Sequence, residues 1–355
     1  MLTEQDELGI YHVLRLRGRI RHIKLTLPAS ILHNVLVIMD ETFPILEHLA
    51  LSRSFSLHHP PLTLPKGFLA PNLLHLTLSN IGLSKRLRVF TSTVSLVTLT
   101  LSAIQSYGDF RPRLLVARLR SLPLLEELTI TFSIPIPRPG TERELLGEIG
   151  APITLPCLNF LWFHGAGAYL ESLVTQIRVP LLERLSINLC NQIAFTPPHV
   201  SYLTNITKVF KFSSATVMFY HKEVLVIMDH DHGVVSVCVS CPPLRQQIDV
   251  AARICDALIP TLSDVEKLAL LFGNEQEPGY IIAKSAMWHD FLGRFIGVKL
   301  LCTDNVLFKG LSQALQVDKV RSDPGFLPNL QDVNVKGTLL STRRVVGSPV
   351  QFLQG

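Results

Sequence analysis

Four consecutive residues, His164-Gly165-Ala166-Gly167, have the composition of an oxyanion loop, in which backbone N–H groups stabilise a developing negative charge. An ester hydrolase built on such a loop also needs a nucleophilic serine in a G-x-S-x-G elbow. The chain contains no G-x-S-x-G segment. We therefore interpret the stretch as a tight turn that leaves the strand-like run 158–163, and the hydrolase hypothesis as the weaker one.

A second stretch offers the side chains that zinc prefers. The sequence Asp-His-Asp-His-Gly at 229–233 is followed by Cys238 and Cys241, and imidazole nitrogens and thiolates are the usual zinc ligands. No second CxxC or H-x3–5-H pair follows, and the two histidines fit a polar hairpin turn equally well. The sequence therefore predicts no metal site and no cofactor.

The remaining polar residues do not assemble a catalytic set. The paired carboxylates Glu126–Glu127 fall on adjacent strand positions, and Glu142 and Glu144 lie in a stretch rich in proline and glycine. There is no phosphate-binding glycine loop and no H-E-x-x-H zinc motif. With no nucleophile, base and orienting group in one pattern, we predict that the protein is not an enzyme.

The composition of the chain further limits the kinds of protein that it can be. The 355 residues are 47% hydrophobic, which suffices for a large core, and the net charge of +5 is too small to indicate a nucleic-acid or membrane partner. The N-terminus lacks an apolar signal region, and no apolar run is long enough to span a membrane. Six scattered cysteines indicate reduced thiols. We expect a monomer in the cytoplasm or nucleus.

The main organising feature is a repeat of the form Pro-x-apolar-x-x-apolar-x-apolar. It starts at Pro44, Pro71, Pro123, Pro156, Pro180 and Pro328 and, without the proline, at Val94, Ser263 and Gly293. Residues 19–27 look like a truncated first copy. Successive copies are about 23–35 residues apart, a period typical of solenoid proteins.

Each copy predicts a strand. Proline suits the first residue of a strand because it has no N–H for the ladder, and the apolar residues two apart then point to one face. The predicted strands are 47–51, 74–78, 97–101, 126–130, 159–163 and 183–187. Because each unit is too small to bury its apolar face alone, we expect these strands to stack in parallel and in chain order.

Helix-like segments separate the strands. Apolar residues three to four apart occur at 31–43, 111–122, 168–177 and 245–259. The region from 180 to 263 differs, because 215–220, 223–229 and 233–240 read as three consecutive strands. The hexapeptide Val-Leu-Val-Ile-Met-Asp occurs at 35–40 and again at 224–229, in different phases of the repeat, so its identity predicts no shared structure.

The repeat resembles the leucine-rich repeat, L-x-x-L-x-L-x-x-N/C, most closely at 181–190, where Leu182, Leu185, Ile187 and Cys190 fill the pattern. This resemblance implies a leucine-rich-repeat solenoid, with a parallel sheet on the concave face and helices on the convex face. The asparagine ladder of regular family members is missing, since the corresponding slot holds Ser54, Ile81, Ile104, Ser133 and Ala166. We therefore expect irregular repeats.

Residues 287–315, rich in aromatic and leucine residues, followed by Phe-Leu-Pro-Asn-Leu-Gln at 326–331, are similar to the C-terminal repeats of the mushroom-type fungal F-box/leucine-rich-repeat proteins. This resemblance implies the substrate-recognition repeats of a ubiquitin-ligase receptor. The chain has no L-P-x-E-[IL]-L-x-x-I-F segment, so docking of a ligase adaptor requires an F-box upstream. The alternative is a leucine-rich-repeat scaffold unrelated to ubiquitin.

We expect three regions: an N-terminal segment or truncated repeat at 1–18, the solenoid at 19–337 and a flexible tail at 338–355.

The candidate binding residues follow from the phase of the strands. Residues between the inward leucines line the concave face, and most of them are small and polar, but Phe160, Trp162, His164 and Arg184 are large. Aromatic residues and arginine often anchor protein interfaces. We therefore predict a protein partner on this row, with Arg184 stacked on Trp162 or paired with an acidic group. The alternative is that the segment 132–153 covers the row.

Overall fold

A computed structural model describes residues 4–54, 62–82, 89–104, 111–133, 151–189, 203–204, 206–207, 210–241, 244–273, 285–317 and 327–336 of the protein. Within these residues the protein is a mixed α/β structure built on one large, mostly parallel sheet of thirteen strands. The predicted tail at 338–355, Cys190 and most of the segment 132–153 lie outside the described residues.

The strands of the large sheet follow the predicted repeats. They are β1 His22–Leu27, β2 His48–Arg53, β3 His75–Ser79, β4 Thr98–Ile104, β5 Glu127–Phe132, β7 Phe160–Gly165, β9 Arg184–Leu189, β10 Phe212–Phe219, β11 Glu223–His230, β12 Gly233–Ser240, β13 Lys267–Phe272, β14 Leu300–Asp304 and β15 Asp332–Lys336. Two short strands, β6 Ile153–Thr154 and β8 Ile177–Arg178, form a separate parallel pair.

The helices connect these strands. They are α1 Glu4–Leu14, α2 Ala29–Ile38, α3 Val89–Ser92, α4 Pro112–Leu119, α5 Gly167–Val174, α6 Leu244–Leu262, α7 Ser285–Leu292 and α8 Asn305–Val317. Four of them overlap the predicted helical segments, whereas α1 lies in the N-terminal segment, to which the sequence assigned no structure. None of the described helices combines the length and the apolar character needed to cross a lipid bilayer.

The stacking of the first strands agrees with the sequence. Strands β1, β2, β3, β4, β5, β7 and β9 pair in parallel, each with the next in this order. Each of the six predicted strands begins one residue later than predicted and ends one to three residues later. A parallel sheet in chain order is therefore confirmed for this half of the protein.

The repeating proline has a different role from the predicted one. Each of the prolines lies in a turn, four residues ahead of the strand, and not at its first position. In the first complete repeat, the N–H of Leu46 donates to the carbonyl of Phe43 at 3.4 Å, which places Pro44 second in a four-residue turn. The same bond recurs around Pro71, Pro123 and Pro156. Proline fits because its fixed φ suits the second position of such a turn.

One repeat start was assigned wrongly. The pattern from Gly293 places Leu300 towards the core, but Leu300 is partly exposed and Leu301 is buried. The turn bond from Val298 N to Phe295 O, at 3.3 Å, shows that the unit starts at Ile296. The three-residue error arose because Val298 is apolar and fits the pattern in both phases, at the second apolar position from Gly293 and at the first from Ile296.

The core is formed by alternate strand residues packed against the helices. Leu49 and Leu51 of β2 are buried, as are the matching leucines of β3 and β4. On α2, Leu32, Val35 and Leu36 are buried at the spacing of one helical face. Each such leucine contributes about 1.5–3 kcal/mol by leaving water, so the repeated leucines dominate the stability of the sheet.

Strands β10, β11 and β12 interrupt the simple order. The predicted three consecutive strands are confirmed, and they form an antiparallel meander. They enter the sheet in reverse, so that β12 pairs with β9 and β10 pairs with β13, both in parallel. Gly233 starts β12 so close to the Glu183 carbonyl oxygen that an added Cβ would lie 2.0 Å from it. A glycine is therefore required where the meander meets β9.

The open face of the sheet as a candidate functional site

One face of the sheet, here called the open face, carries the strand side chains that alternate with the buried ones. From β1 to β9 it consists of His22, Lys24, Thr26; His48, Ala50, Ser52; His75, Thr77, Ser79; Thr98, Thr100, Ser102; Glu127, Thr129, Thr131; Phe160, Trp162, His164; and Arg184, Ser186, Asn188. Apart from Thr129, all of them keep some contact with solvent. The first, second and third residues of these triplets form three rows that run across the strands, here called the first, middle and last rows. Serine and threonine dominate the middle and last rows.

The first row carries a charged and aromatic group on three adjacent strands. The guanidinium carbon of Arg184 lies 4.7 Å from the centroid of the Phe160 ring. The Nη2 atom of Arg184 also donates to Glu127 Oε1 at 3.4 Å. Both charged side chains remain about half exposed, so the ion pair contributes about 0–1 kcal/mol to stability. Arg184 is thus held in place and still accessible to a partner.

Trp162 occupies the middle row and is partly exposed, whereas Leu161 and Phe163 on the same strand are fully buried. Its register neighbours are Thr129 and Ser186, both small. Arg184 does not stack on Trp162, which was one of the two contacts suggested for it, because in-register pairing places it beside Phe160. The sequence placed these residues on one face, where the structure has them, but it did not show which ring Arg184 stacks on.

His164 is the next-to-last residue of the same strand and lies in the last row. It is half-buried, and burial lowers the pKa of its imidazole below the ordinary value of 6.5. The following Gly165 ends β7, and Gly167 begins α5. The His164–Gly167 stretch is therefore the turn from a strand into a helix, as interpreted from the sequence.

The two halves of the suspected zinc motif are far apart. His230 lies at the β11–β12 turn, where its ring stacks on Phe210 at 4.5 Å and its Nε2 lies 3.0 Å from the Glu183 carbonyl oxygen. Cys238 lies near the other end of β12, roughly 16 Å away at about 3.3 Å per strand residue. Cys241 is buried, and burial raises the pKa of its thiol to about 11. These residues do not form one binding site.

A cluster that the sequence analysis did not identify lies on β1, β2 and β3. His22, His48 and His75 are register neighbours in the first row. Their rings stack, with centroids 4.4 Å apart between His22 and His48 and 4.3 Å apart between His48 and His75. Burial, followed by the nearby His75 and His22, lowers the pKa of His48. The available signal was a histidine at the first strand position of three successive repeats.

Glu47 extends this cluster. It directly precedes β2, and its carboxylate lies with the imidazoles of His22 and His48 so that one ligand atom from each is within 4.8 Å of the others. The carboxylate also lies 3.5 Å from an Arg21 guanidinium nitrogen.

Comparison of the chain with models of known protein families gives no match, and no curated protein matches it significantly.

Proposed function

We propose that the protein is a leucine-rich-repeat solenoid that binds another protein through the open face, without catalysing a reaction. The support for the repeat class is the unit itself: a turn, a buried-leucine strand and a return segment, repeated through a parallel sheet. Such arrays carry long binding surfaces because each repeat contacts mainly its neighbours and leaves one sheet face available.

The observation that carries the proposal is the contrast within the open face. Most of its positions are serine, threonine or alanine, which provide little binding energy individually. Phe160, Trp162 and Arg184 cluster on β7 and β9, next to Glu127 on β5. Aromatic residues and arginine dominate binding energy at protein interfaces, where truncation often costs about 2 kcal/mol or more.

The chemistry of this cluster indicates the kind of partner. Phe160 is already covered on one side by Arg184, so the pair offers a flat, amphipathic surface with one cation partly offset by Glu127. An apolar side chain with a carboxylate nearby would complement Trp162 and Arg184 together. We propose a protein segment of this composition as the ligand, encountered in the cytoplasm or nucleus.

The finer proposal is that these are the substrate-recognition repeats of a ubiquitin-ligase receptor. It rests on the similarity of 287–315 and 326–331 to the mushroom-type fungal F-box family. Binding of the ligase adaptor by the full-length gene product tests it. A gene product without an adaptor-binding segment would leave a scaffold protein as the function.

The binding face is tested by comparing the wild type and three variants of the protein as baits in the same cell extract. We expect a partner retained by the wild type to be lost with Trp162→Ala and with Arg184→Glu. Thr100→Ala, on the middle row of β4, is the matched control and should retain the partner. Retention of the partner by all three variants, with folding intact, would move the binding site away from this cluster.

A further inference from the structure

We propose that His22, Glu47 and His48 form a binding site for a divalent transition-metal ion of the zinc class, at the β1–β2 end of the open face. His22 converges with the adjacent residues Glu47 and His48 from a separate strand, and one ligand atom from each of the three lies within 4.8 Å of the other two. This proposal is independent of the protein-binding function, because it uses none of the residues that carry that function.

The spacing is close to that of a coordination sphere. Ligand atoms about 2.0–2.2 Å from a tetrahedral ion lie roughly 3.3 Å from one another. Small adjustments of the three side chains, each of which is at least partly exposed, would therefore bring the atoms onto one ion. Two imidazoles and one carboxylate would leave a fourth position for water or for a ligand atom of a partner.

The backbone around the site is held on both sides. The N–H groups of Glu47 and His48 donate to the Arg21 carbonyl at 2.9 and 3.0 Å. On the other side, the carbonyl of Glu47 accepts from the N–H groups of Leu74 and His75 at 2.8 and 3.0 Å. Binding an ion therefore requires side-chain adjustment alone, since the strand ends already fix the positions of Glu47 and His48.

His75 supports the site without belonging to the ligand set. Its ring stacks on His48 at 4.3 Å, with 12° between the planes, on the side away from His22. We assign it as a positioning residue that holds the plane of the His48 ring. The Arg21–Glu47 ion pair, at 3.5 Å and with Arg21 largely exposed, is the contact that the ion would displace.

The donor set selects the class of metal. Neutral imidazole suits zinc, copper, nickel and cobalt, whereas calcium and magnesium prefer oxygen ligands alone. Cobalt(II) is the suitable probe because its visible spectrum distinguishes ligand types. A site of two nitrogens and one carboxylate gives ligand-field bands without a thiolate charge-transfer band, which separates it from binding at the cysteines.

The experiment titrates cobalt(II) and zinc into the full chain, freed of any histidine tag, and follows the cobalt spectrum and the histidine side-chain NMR signals. We expect one ion to bind, with the signals of His22 and His48 shifted and no thiolate band. His22→Ala, at an exposed edge-strand position, should weaken binding by about tenfold or more, and Glu47→Gln should weaken it too. His33→Ala, at an exposed position of α2, is the matched control and should bind like the wild type.

Three results would overturn the proposal. They are no binding by the folded wild type, a thiolate band that persists in His22→Ala, and equal loss of binding in His33→Ala. His75→Ala tests the assignment within the site. A loss smaller than that of His22→Ala supports a positioning role, and an equal loss would make His75 a ligand and replace the proposed set.

Discussion

The same six residues, Val-Leu-Val-Ile-Met-Asp, form the end of a helix in one region of the molecule and most of a strand in another. At 35–40 they complete α2 and the turn after it, and at 224–229 they lie in β11. In the helical copy Val35, Leu36 and Met39 are buried and Val37 is 63% exposed. In the strand copy burial alternates, so that Val226 is 1% exposed and Leu225 is partly exposed.

The difference teaches that the neighbours select the structure of this hexapeptide. Before the first copy, Leu32 extends the spacing of three and four residues, which a helix buries on one face. Around the second copy, β10 and β12 supply hydrogen bonds on both edges, and alternation becomes the favourable pattern. Valine and isoleucine tolerate a helix and favour a strand, so intrinsic preference alone does not decide.

The largest expected effect comes from placing lysine at the third residue of each copy. Val226→Lys puts an ammonium group into the core beneath the meander and should reduce the free energy of unfolding by about 4 kcal/mol or more, or prevent folding. Val37→Lys places the same group in water near a helix C-terminus and should change it by less than about 0.5 kcal/mol. Urea denaturation of the two variants measures the difference.

Equal costs for these two substitutions would contradict the opposite burial of Val37 and Val226. A loss of stability in Val37→Lys alone would mean that Val37 is the buried residue and Val226 the exposed one.

Much of the sheet could be predicted because one pattern is repeated many times. Alternation around Leu49, Leu76 and Leu128 is weak for any single strand, but its recurrence with a preceding proline fixed both register and parallel order. The phase failed at Gly293, where Val298 fits the pattern in two phases and no proline distinguishes them. The order of the meander also could not be predicted, because alternation in β10, β11 and β12 shows which face is buried and not which strand pairs with β9.

The candidate site was predictable only where one strand carries it. Phe160 and Trp162 share β7, so the period of two placed both on the open face. The repeat also sets the register that places Arg184 beside Phe160, since each residue stands four positions after its proline, but the sequence does not show which ring the long arginine side chain stacks on. The His22–Glu47–His48 cluster requires that register and also the position of Glu47, which precedes its strand.

A second comparison uses adjacent aromatic residues on β7. Phe163 is fully buried and packs near Phe132 and Tyr169, with ring centroids 6.2 and 5.9 Å away. Phe163→Ala should therefore cost about 3–5 kcal/mol of stability. Trp162→Ala, on the open face, should cost less than about 1.5 kcal/mol because its ring is only partly removed from water.

Thermal or urea unfolding of both variants decides this comparison. A loss of about 3–5 kcal/mol for Trp162→Ala would show that the indole is packed as a core residue, and the proposed binding cluster would lose its central member.

The second residue of the hexapeptide gives a smaller contrast, and its direction is opposite to that of the third residue. Leu36 is 4% exposed in α2, so Leu36→Ala should cost about 2–4 kcal/mol through lost burial and a cavity. Leu225→Ala, at a partly exposed position of β11, should cost about 1 kcal/mol. Denaturant midpoints measure both, and a larger loss for Leu225→Ala would mean that the open face is covered there.

The mildest effect concerns pH and two histidines of the open face. Burial lowers the pKa of His164, and burial together with neighbouring imidazoles lowers the pKa of His48, both from 6.5. Below pH 6.5 the unfolded chain therefore binds more protons than the folded protein at these two histidines. Their contribution to the free energy of unfolding consequently falls as the solution is acidified, and it is constant above neutral pH. For His164→Gln and for His48→Gln, the free energy of unfolding should therefore fall less steeply than that of the wild type between about pH 6.5 and pH 5. Urea unfolding across this range measures the slopes, with histidine NMR titration as the direct measurement of each pKa. A titration above 6.5 in the folded protein would reverse the sign and show that an acidic group, and not burial, controls the imidazole.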